Sequence, residues 1–457
     1  MRLVRQALAN PLLQVVGARA VTFPVTLVCG LVWLRLVIGQ LGAAEYGFLA
    51  LVVGLQFLLG FLDFGTSANV LEGAGRFRVD RDVAALGRAL GSAWRMILVG
   101  NLLVLLGAVL VLVAGAWGPI LGFPERTATA GLAVVLILAV NTVVRPLSLS
   151  SALVAGLGRP AVATWAQSLT GLSSLGLLAV LLWTDAPVAF IAATPIAGQL
   201  VAYAVPFVVS MRTVPGLLRA AGAGMLRRTH ADHKLRRLAL PLLVIQMIGP
   251  LNDQLDRLVL AHLSTVEALA SYALGAQLYS SAMSFCTVLI PQLWSEFAEL
   301  RATGGPRAAV RRSLSYLRRL WPLAVLGGAA FTLVCHEAAP WVSDGKLELS
   351  WLLCSVFGAE LALSASSLVL GIGLTDPRSL RRQPVLLAIS TGVNLVLTLV
   401  LAGPLGALGP ALASLVAASL QLPLLALLAA GVLRDRAADQ HDREPDLEAF
   451  TTRRAGS

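Results

Sequence analysis

Long apolar runs of leucine, valine and alanine recur along almost the whole chain, and short breaks of proline, glycine or charged residues separate them. Each run is close to the ~20 residues that an α-helix needs to cross a bilayer. With the breaks taken as helix ends, the pattern predicts about twelve membrane spans. Their expected ranges are 15–39, 46–64, 93–115, 129–153, 160–183, 187–210, 238–262, 269–293, 319–341, 349–372, 384–402 and 405–433.

The composition is typical of a membrane protein and excludes several other classes of protein. Apolar residues make up 57% of the chain and charged residues 13%, about half of the ~25% usual in a soluble globular protein. A soluble enzyme, a disordered protein and a disulfide scaffold are therefore excluded. The net charge of +11 comes from residues scattered between the apolar runs. Nucleic acid binders gather their basic residues in one patch, so no nucleic acid partner is expected.

The basic residues also predict the orientation of the spans. On one side fall 28 lysines and arginines, and only Arg126 and Lys346 fall on the other. Positively charged flanks stay in the cytoplasm, so both termini are expected there. The outer loops are short, which disfavours a membrane glycan polymerase or transferase with an extended catalytic loop. On the inner side, Val83, Leu86 and Leu90 recur at helical spacing, which fits either an interfacial amphipathic helix or a solvated loop.

An internal repeat relates the two halves of the chain. Residues 35–45 read RLVIGQLGAAE and residues 257–267 read RLVLAHLSTVE, with identical residues at five of the eleven positions. Each segment ends the first predicted helix of its half and begins the next loop. Halves that start on the same side of the membrane are related by an axis along the membrane normal, which is typical of transporters that work by alternating access.

We therefore expect an all-α polytopic membrane protein with about twelve transmembrane helices in two pseudo-symmetric six-helix bundles around a central cavity. The N-terminal bundle covers 1–210 and the C-terminal bundle covers 238–433. A basic cytoplasmic connector at 211–237 separates them, and a charged tail at 434–457 has the composition of a disordered segment.

Two segments carry a family resemblance. Leu41–Gly65 reads LGAAEYGFLALVVGLQFLLGFLDFG, and Leu240–Leu278 contains D-R-x-x-[IVL] at the end of the seventh predicted span, followed by Tyr272. These motifs resemble those of the polysaccharide flippases, the O-antigen and exopolysaccharide exporters of the multidrug/oligosaccharidyl-lipid/polysaccharide exporter superfamily. Gln40 and Ala270 depart from the family pattern, in which a basic residue and a glycine are common.

The resemblance implies translocation of a polyprenyl-diphosphate-linked oligosaccharide from the inner to the outer leaflet of a bacterial cytoplasmic membrane. The implied partners are this lipid-linked glycan, membrane lipids, and the glycosyltransferases and polymerase of polysaccharide biosynthesis. A cation-coupled multidrug exporter with the same architecture is the alternative. Neither function is enzymatic, and the sequence contains no catalytic constellation, metal-ligand spacing or cofactor motif.

The candidate arginines within the predicted spans are Arg19, Arg35, Arg145 and Arg257. An ionised side chain in hydrocarbon costs ~3 kcal/mol or more unless it faces a cavity or a partner. Guanidinium groups bind phosphate oxygens in a bidentate way, so these arginines are candidate substrate contacts. The alternatives are snorkelling to the interface for Arg19 and Arg35, and an i,i+4 ion pair with Asp253 for Arg257.

Polar residues near a helix break complete the candidate site. Gln246 and Asn252 flank Pro250, which removes a backbone hydrogen bond at membrane depth, and both are candidate contacts to sugar hydroxyls. Glu360 and Asp256 are candidates for ion coupling, because a buried carboxyl group can take up and release a proton. A hydrogen bond inside the bundle is the structural alternative for Glu360. The sequence leaves open whether a proton gradient, a sodium gradient or another energy source drives the cycle.

Overall fold

The computed structural model describes residues 11–58, 65–226, 250–287 and 290–434. The chain divides into two compact units, Met1–Ala239 with Val342–Lys346, and Leu240–Trp341 with Leu347–Ser457. Every regular element within the described ranges is helical, which confirms the predicted all-α class. Gln246 and the charged tail from residue 435 onward lie outside these ranges.

The first unit consists of long apolar helices joined by short turns. Its described helices are α1 (Pro11–Leu41), α2 (Ala43–Leu58), α3 (Thr66–Asp80), α4 (Val83–Val113), α5 (Trp117–Leu121), α6 (Thr127–Gly156), α7 (Pro160–Trp183), α8 (Val188–Ile191), α9 (Thr194–Thr213) and α10 (Leu217–Leu226). Asp82 caps α4 by accepting a hydrogen bond from the Ala85 backbone N–H at 2.9 Å, which satisfies one of the free donors at the helix start.

The second unit has the same construction. Its described helices are α11 (250–263), α12 (Val266–Thr287), α13 (Ile290–Val342), α14 (Trp351–Gly373), α15 (Pro377–Leu405) and α16 (Leu408–Arg434). Gly305, with φ 72°, interrupts the regular geometry of α13. Asp376 caps α15 through the Ser379 N–H, and Pro377 occupies the first turn, where the missing donor costs nothing.

Within the described ranges, nine helices are long and apolar enough to cross a membrane. The three other expected spans, 46–64, 238–262 and 269–293, each include residues outside those ranges. Large apolar side chains on the spans are exposed, among them Leu103 at 64% and Val113 at 81% on α4. Such a surface is typical of helices that face lipid. The chain is therefore a polytopic, helical membrane protein.

The internal repeat corresponds to one local structure in each unit. Arg35 lies on α1 and Glu45 in the first turn of α2, and Arg257 and Glu267 occupy the matching places on α11 and α12. A tight turn joins the helices in the first unit, where Gly42 has φ 93°. An acidic residue in the first turn of a helix is stabilised by the helix dipole, which accounts for both glutamates.

Two inner segments expected to be loops are helical. Residues 66–80 form α3, and the segment 294–318 belongs to α13. Both alternatives for Val83, Leu86 and Leu90, an interfacial amphipathic helix and a solvated loop, are wrong, because Val83 begins the long helix α4 and Leu86 and Leu90 are each 1% exposed. They pack in a core with α3, α6 and α10, so their helical spacing reflects protein packing.

Helix α10, in the basic connector, lies directly against α4. A Cβ added to Gly91 would lie 2.1 Å from the carbonyl oxygen of Ala221, and one added to Gly224 would lie 2.7 Å from that of Gly87. No side chain fits at these distances, so the contact requires glycine. The start of the connector is thereby fixed to the first unit.

We predict that Gly91→Ala lowers the stability of the protein. The new methyl group must displace α10, and overpacking of this kind costs about 1–3 kcal/mol. Gly107→Ala on the same helix is the matched control, because a Cβ there meets no atom within 4 Å and alanine gains up to ~1 kcal/mol in helix propensity. Thermal unfolding in detergent measures both. Equal melting temperatures for the two variants would contradict the close contact.

Candidate functional site

A buried carboxyl group lies at the centre of a polar network in the second unit. Asp256, on α11, is 0% exposed. Its Oδ2 accepts a hydrogen bond from the hydroxyl of Tyr272 on α12 at 2.9 Å, and its Oδ1 accepts one from Oγ1 of Thr398 on α15 at 2.9 Å. Oγ of Ser414 on α16 adds a longer bond of 3.3 Å to Oδ2. Four helices therefore meet at one carboxyl group.

Asn394 extends the network along α15. Its Nδ2 donates to Oγ of Ser414 at 2.8 Å, and its Oδ1 lies 3.2 Å from Oγ1 of Thr398. A hydroxyl group has one proton, so Thr398 donates to the nearer acceptor on Asp256. Asn394 and Thr398 stand one helical turn apart and are almost fully buried. An apolar helix thus presents a polar edge to the carboxyl group.

Glu360 adds a second carboxyl group in the same unit. It lies on α14, is half-buried, and forms a hydrogen bond with Tyr279 of α12. Its Oε2 is buried and has no hydrogen-bond partner among the described residues. Asp253, on α11, lies near enough for its charge to act on both Asp256 and Glu360. Three carboxyl groups are therefore electrostatically connected.

This arrangement has the chemistry of a site for a proton or a hard cation. Within the described residues, no lysine, arginine or histidine forms an ion pair with Asp256 or Glu360. A buried carboxylate is costly without a compensating positive charge, even when hydroxyl groups donate to it. Carboxyl, amide and hydroxyl oxygens are also the ligands that hard cations prefer. Protonation or cation binding would remove the uncompensated charge.

The first unit holds an arginine within an amide network. Asn141 Nδ2 donates to Oδ1 of Asn101 at 2.8 Å, and both side chains are buried on adjacent helices α6 and α4. Nε of Arg145 donates to Oδ1 of Asn141 at 3.2 Å, and its NH2 lies 3.5 Å from the carbonyl oxygen of Gln56. Eleven residues separate Arg145 from the end of α6 at Gly156, about 16 Å along the axis. The guanidinium group is thus held well inside a span.

Arg35 forms an ion pair with a residue that lies far from it in the sequence. Its NH2 lies 2.8 Å from Oδ1 of Asp344, which belongs to the short segment 342–346 of the first unit. Lys346 of the same segment donates to the carbonyl oxygen of Gly39. The Arg35 side chain is 39% exposed, so solvent screens this ion pair and its contribution to stability is small.

The structure places the remaining candidates separately. Arg19 on α1 is half-buried, as are Asn252 and Arg257 on α11. The charge of Arg257 acts on the carboxyl group of Asp253, one turn earlier on α11. Arg257 and Asn252 share α11 with Asp256, whereas Arg19, Arg35 and Arg145 belong to the first unit.

Sequence reasoning singled out Asp256 and Glu360 but missed most of their partners. Thr398, Asn394, Ser414 and Tyr279 were not selected, and Tyr272 entered only as part of a family motif. A signal for two of them exists in the sequence. Asn394 and Thr398 are polar residues at i,i+4 within an apolar span, and polar residues at membrane depth need internal partners.

Comparison with known proteins identifies solved structures that have the same fold as this chain. No protein-family model matches the chain, and no curated protein sequence matches it. An inward-facing multidrug resistance MATE family transporter of the MOP superfamily is similar in structure, with a TM-score of 0.67 and 12% identity over 91% of this chain and 96% of the other. The chain has the fold of this transporter. At so low an identity the likeness concerns the fold alone.

Two other solved structures are similar over nearly the whole chain. The lipid II flippase MurJ in an inward closed conformation has a TM-score of 0.62 and 11% identity over 89% of this chain and 86% of the other. An outward-facing MATE family transporter has a TM-score of 0.56 and 13% identity over 92% of this chain and 96% of the other. One fold thus includes a lipid flippase and multidrug transporters.

We predict that Tyr272→Phe destabilises the protein by about 1–3 kcal/mol, because it removes a hydrogen bond to a carboxyl group that has no contact with solvent. The melting temperature in detergent should fall by a few degrees. Tyr203→Phe is the control, since Tyr203 lies on α9 of the first unit, outside this network. A Tyr272→Phe variant as stable as the control would show that the hydroxyl contributes nothing.

Proposed function

We propose that the protein is a secondary transporter that moves a polyprenyl-diphosphate-linked oligosaccharide from the inner to the outer leaflet of a bacterial cytoplasmic membrane by alternating access. The observation that carries the proposal is Arg145, which lies on α6 about 16 Å from the end of that helix and whose guanidinium group is held by the amide of Asn141. The fold, which is similar to that of lipid II flippase MurJ, supports it.

The chemistry of the cargo explains why arginines at membrane depth matter. A diphosphate cannot enter hydrocarbon unless its charge is balanced, and a guanidinium group binds phosphate oxygens while remaining charged at any physiological pH. Arg19, Arg35 and Arg145 in the first unit and Arg257 in the second are the proposed contacts. Gln246 and Asn252 are the proposed contacts to sugar hydroxyls. The polyprenyl chain stays in the lipid.

Asp256 and Glu360 are the proposed coupling residues. Asp256 is enclosed by three hydroxyl donors, and Glu360 has a buried oxygen without a hydrogen-bond partner among the described residues. Taking up a proton or a sodium ion removes a buried negative charge and therefore shifts the balance between conformations. The ion gradient would in this way drive the cycle.

Proposed partners follow from the cargo. A flippase that delivers lipid-linked oligosaccharides takes them from glycosyltransferases on one face and supplies a polymerase on the other. The excess of basic residues on one side of the spans supports cytoplasmic termini.

A cation-coupled multidrug exporter is the second candidate, and a specific observation favours it. Asp253, Asp256 and Glu360 form a set of carboxyl groups in one unit, which would attract a cationic drug as well as a coupling ion. The structural likeness to MATE transporters agrees with this candidate. The two candidates differ in the charge of the cargo, so transport assays with anionic and cationic substrates separate them.

The arginine contacts predict a specific loss of flipping. Arg145→Gln and Arg257→Ala should each slow translocation of a fluorescent polyprenyl-diphosphate oligosaccharide by about 10- to 100-fold, the value of one charge-assisted hydrogen bond. The assay uses reconstituted vesicles and a reagent that quenches only the outer leaflet. Arg35→Ala should also reduce the rate, but less, since Arg35 is partly exposed and paired with Asp344.

Arg212→Ala is the matched control, because Arg212 is an exposed arginine in the last turn of α9. Its rate should equal that of the unmodified protein. Unchanged flipping in Arg145→Gln and Arg257→Ala would contradict the arginine proposal. Transport of ethidium together with no movement of the lipid-linked sugar would establish the multidrug alternative.

The coupling proposal makes a separate prediction. Asp256→Asn and Glu360→Gln should abolish the dependence of transport on an imposed proton gradient and weaken its dependence on a sodium gradient, since an amide takes up no proton and, being uncharged, binds a cation less strongly than a carboxylate does. Glu348→Gln, at an exposed carboxylate just before α14, is the control. The rate is compared with and without each gradient. Gradient-driven transport that persists in both variants would place the coupling elsewhere.

A further inference from the structure

A cavity of about 440 Å³ lies at one end of the first unit, outside the polar networks described above. Its walls include Phe77, Arg78, Val79, Arg81, Leu157 and Thr213. They come from the end of α3, the turn after α6 and the end of α9. The volume is within the range of ~300–1,000 Å³ that is typical of small-molecule sites.

The position of the cavity along the spans is defined by the helix ends. α4 begins at Val83 and α6 ends at Gly156, and both helices are long and apolar enough to cross a membrane. At 31 and 30 residues these helices are about 45 Å long, the thickness of a bilayer including its headgroups, so their ends reach the headgroup region. The cavity therefore lies at headgroup level, on the side of the spans that is rich in arginine.

Arg78 and Arg81, in the wall of the cavity, differ from the nearby Arg76 in their ionic partners. Arg76 forms an ion pair with Glu72 on the outer face of α3. Arg78 and Arg81 form no ion pair with any carboxylate of the described residues. The guanidinium group of Arg81 lies 5.8 Å from the ring centre of Phe77, a cation–π contact that leaves its N–H donors available.

The acidic residues next to these arginines in the sequence, Asp80 and Asp82, form no ion pair with them within the described residues. Asp82 is engaged by the Ala85 N–H as the cap of α4. Asp80 is exposed and forms no salt bridge within the described residues. Two fixed positive charges thus remain at the cavity wall, and the ligand they favour is an anion.

The backbone around the cavity holds both guanidinium groups in place. Arg81 adopts φ 54°, a left-handed conformation that costs a non-glycine residue of order 1 kcal/mol. Gly158, with φ 85°, leaves room for Arg78, whose guanidinium atoms lie 3.2 Å from the place of an added Cβ. Arg81 is the C-cap of α3, where its backbone N–H donates to the carbonyl oxygen of Phe77, and a left-handed residue is a common end of a helix.

Apolar side chains beside the arginines indicate that the anion belongs to a lipid. Val79, between Arg78 and Arg81 in the wall, is 82% exposed, and Leu71 on the same helix is 45% exposed. A free phosphate ion gains nothing from such neighbours, whereas the glycerol and first methylenes of a phospholipid do. Arginine pairs bind phosphodiester oxygens in a bidentate way.

We propose that this cavity binds the headgroup of an anionic phospholipid from the leaflet on the arginine-rich side, with Arg78 and Arg81 on the phosphate and Val79 against the lipid backbone. The site is independent of the cargo and of the coupling network. Binding there attaches α3, α6 and α9 to the lipid surface and stabilises the packing of these helices.

The test is a titration of the full-length protein with phosphatidylglycerol in nonionic detergent, followed by native mass spectrometry. An arginine near an anionic lipid contributes about fivefold in affinity, from ~1 kcal/mol each. The double variant Arg78→Gln with Arg81→Asn should therefore bind about 30-fold more weakly. Asparagine is chosen because it tolerates the left-handed backbone at position 81.

The matched control is the double variant Arg76→Gln with Arg219→Gln, which removes the same charge from exposed positions outside the cavity wall. Its affinity should equal that of the unmodified protein. An equal loss of affinity in both double variants would show that the lipid responds only to general surface charge, and it would contradict a specific site. Unchanged affinity in the cavity variant would overturn it as well.

Two measurements on the unmodified protein keep the proposal testable if the variant does not fold. Phosphatidylglycerol should raise the melting temperature more than zwitterionic phosphatidylethanolamine does, and equal shifts would contradict an anion site. Inorganic phosphate should not displace the lipid. Displacement by phosphate would assign the cavity to a soluble anion, and displacement by a polyprenyl-diphosphate sugar alone would assign it to the cargo.

Discussion

The need to satisfy charged and polar groups away from water governs this structure more than any other constraint. In hydrocarbon an unpaired carboxylate or guanidinium group costs several kcal/mol, and the chain meets this cost by building networks across helices. In the second unit, Asp256 is enclosed by hydroxyl groups from three other helices. In the first, Arg145 is held by Asn141, which Asn101 supports. Each network links helices that are distant in sequence.

These networks also connect stability with function. A carboxyl group held only by hydroxyl donors is stable in its place yet responds strongly to the arrival of a proton or cation, because its charge has no ionic partner within the described residues. In the proposed function, an arginine held by the amide of Asn141 would keep its orientation for an incoming phosphate without losing its charge. The features that make the interior of each unit specific are therefore the ones that the proposed transport cycle would use.

The ends of the helices follow a different rule. There, charge is available to solvent and lipid headgroups, and packing is achieved by glycine and apolar contacts, as between α4 and α10. Exposed ion pairs such as Arg76 with Glu72 add little stability. Arg78 and Arg81, at the cavity near Gly158, have no such partner within the described residues. Their guanidinium groups are consequently able to bind an anion.

The sequence by itself determined the all-α class, the approximate spans, the repeat and the candidates Asp256, Glu360 and the four arginines. Each of these depends on local hydrophobicity or on a charge within an apolar run, which a linear pattern records. The tertiary structure decided which residues meet: Thr398 reaches Asp256 across 142 positions and Asp344 reaches Arg35 across 309. It also decided that Leu86 and Leu90 pack in a protein core, because helical spacing marks an apolar face and does not specify whether lipid or another helix covers it.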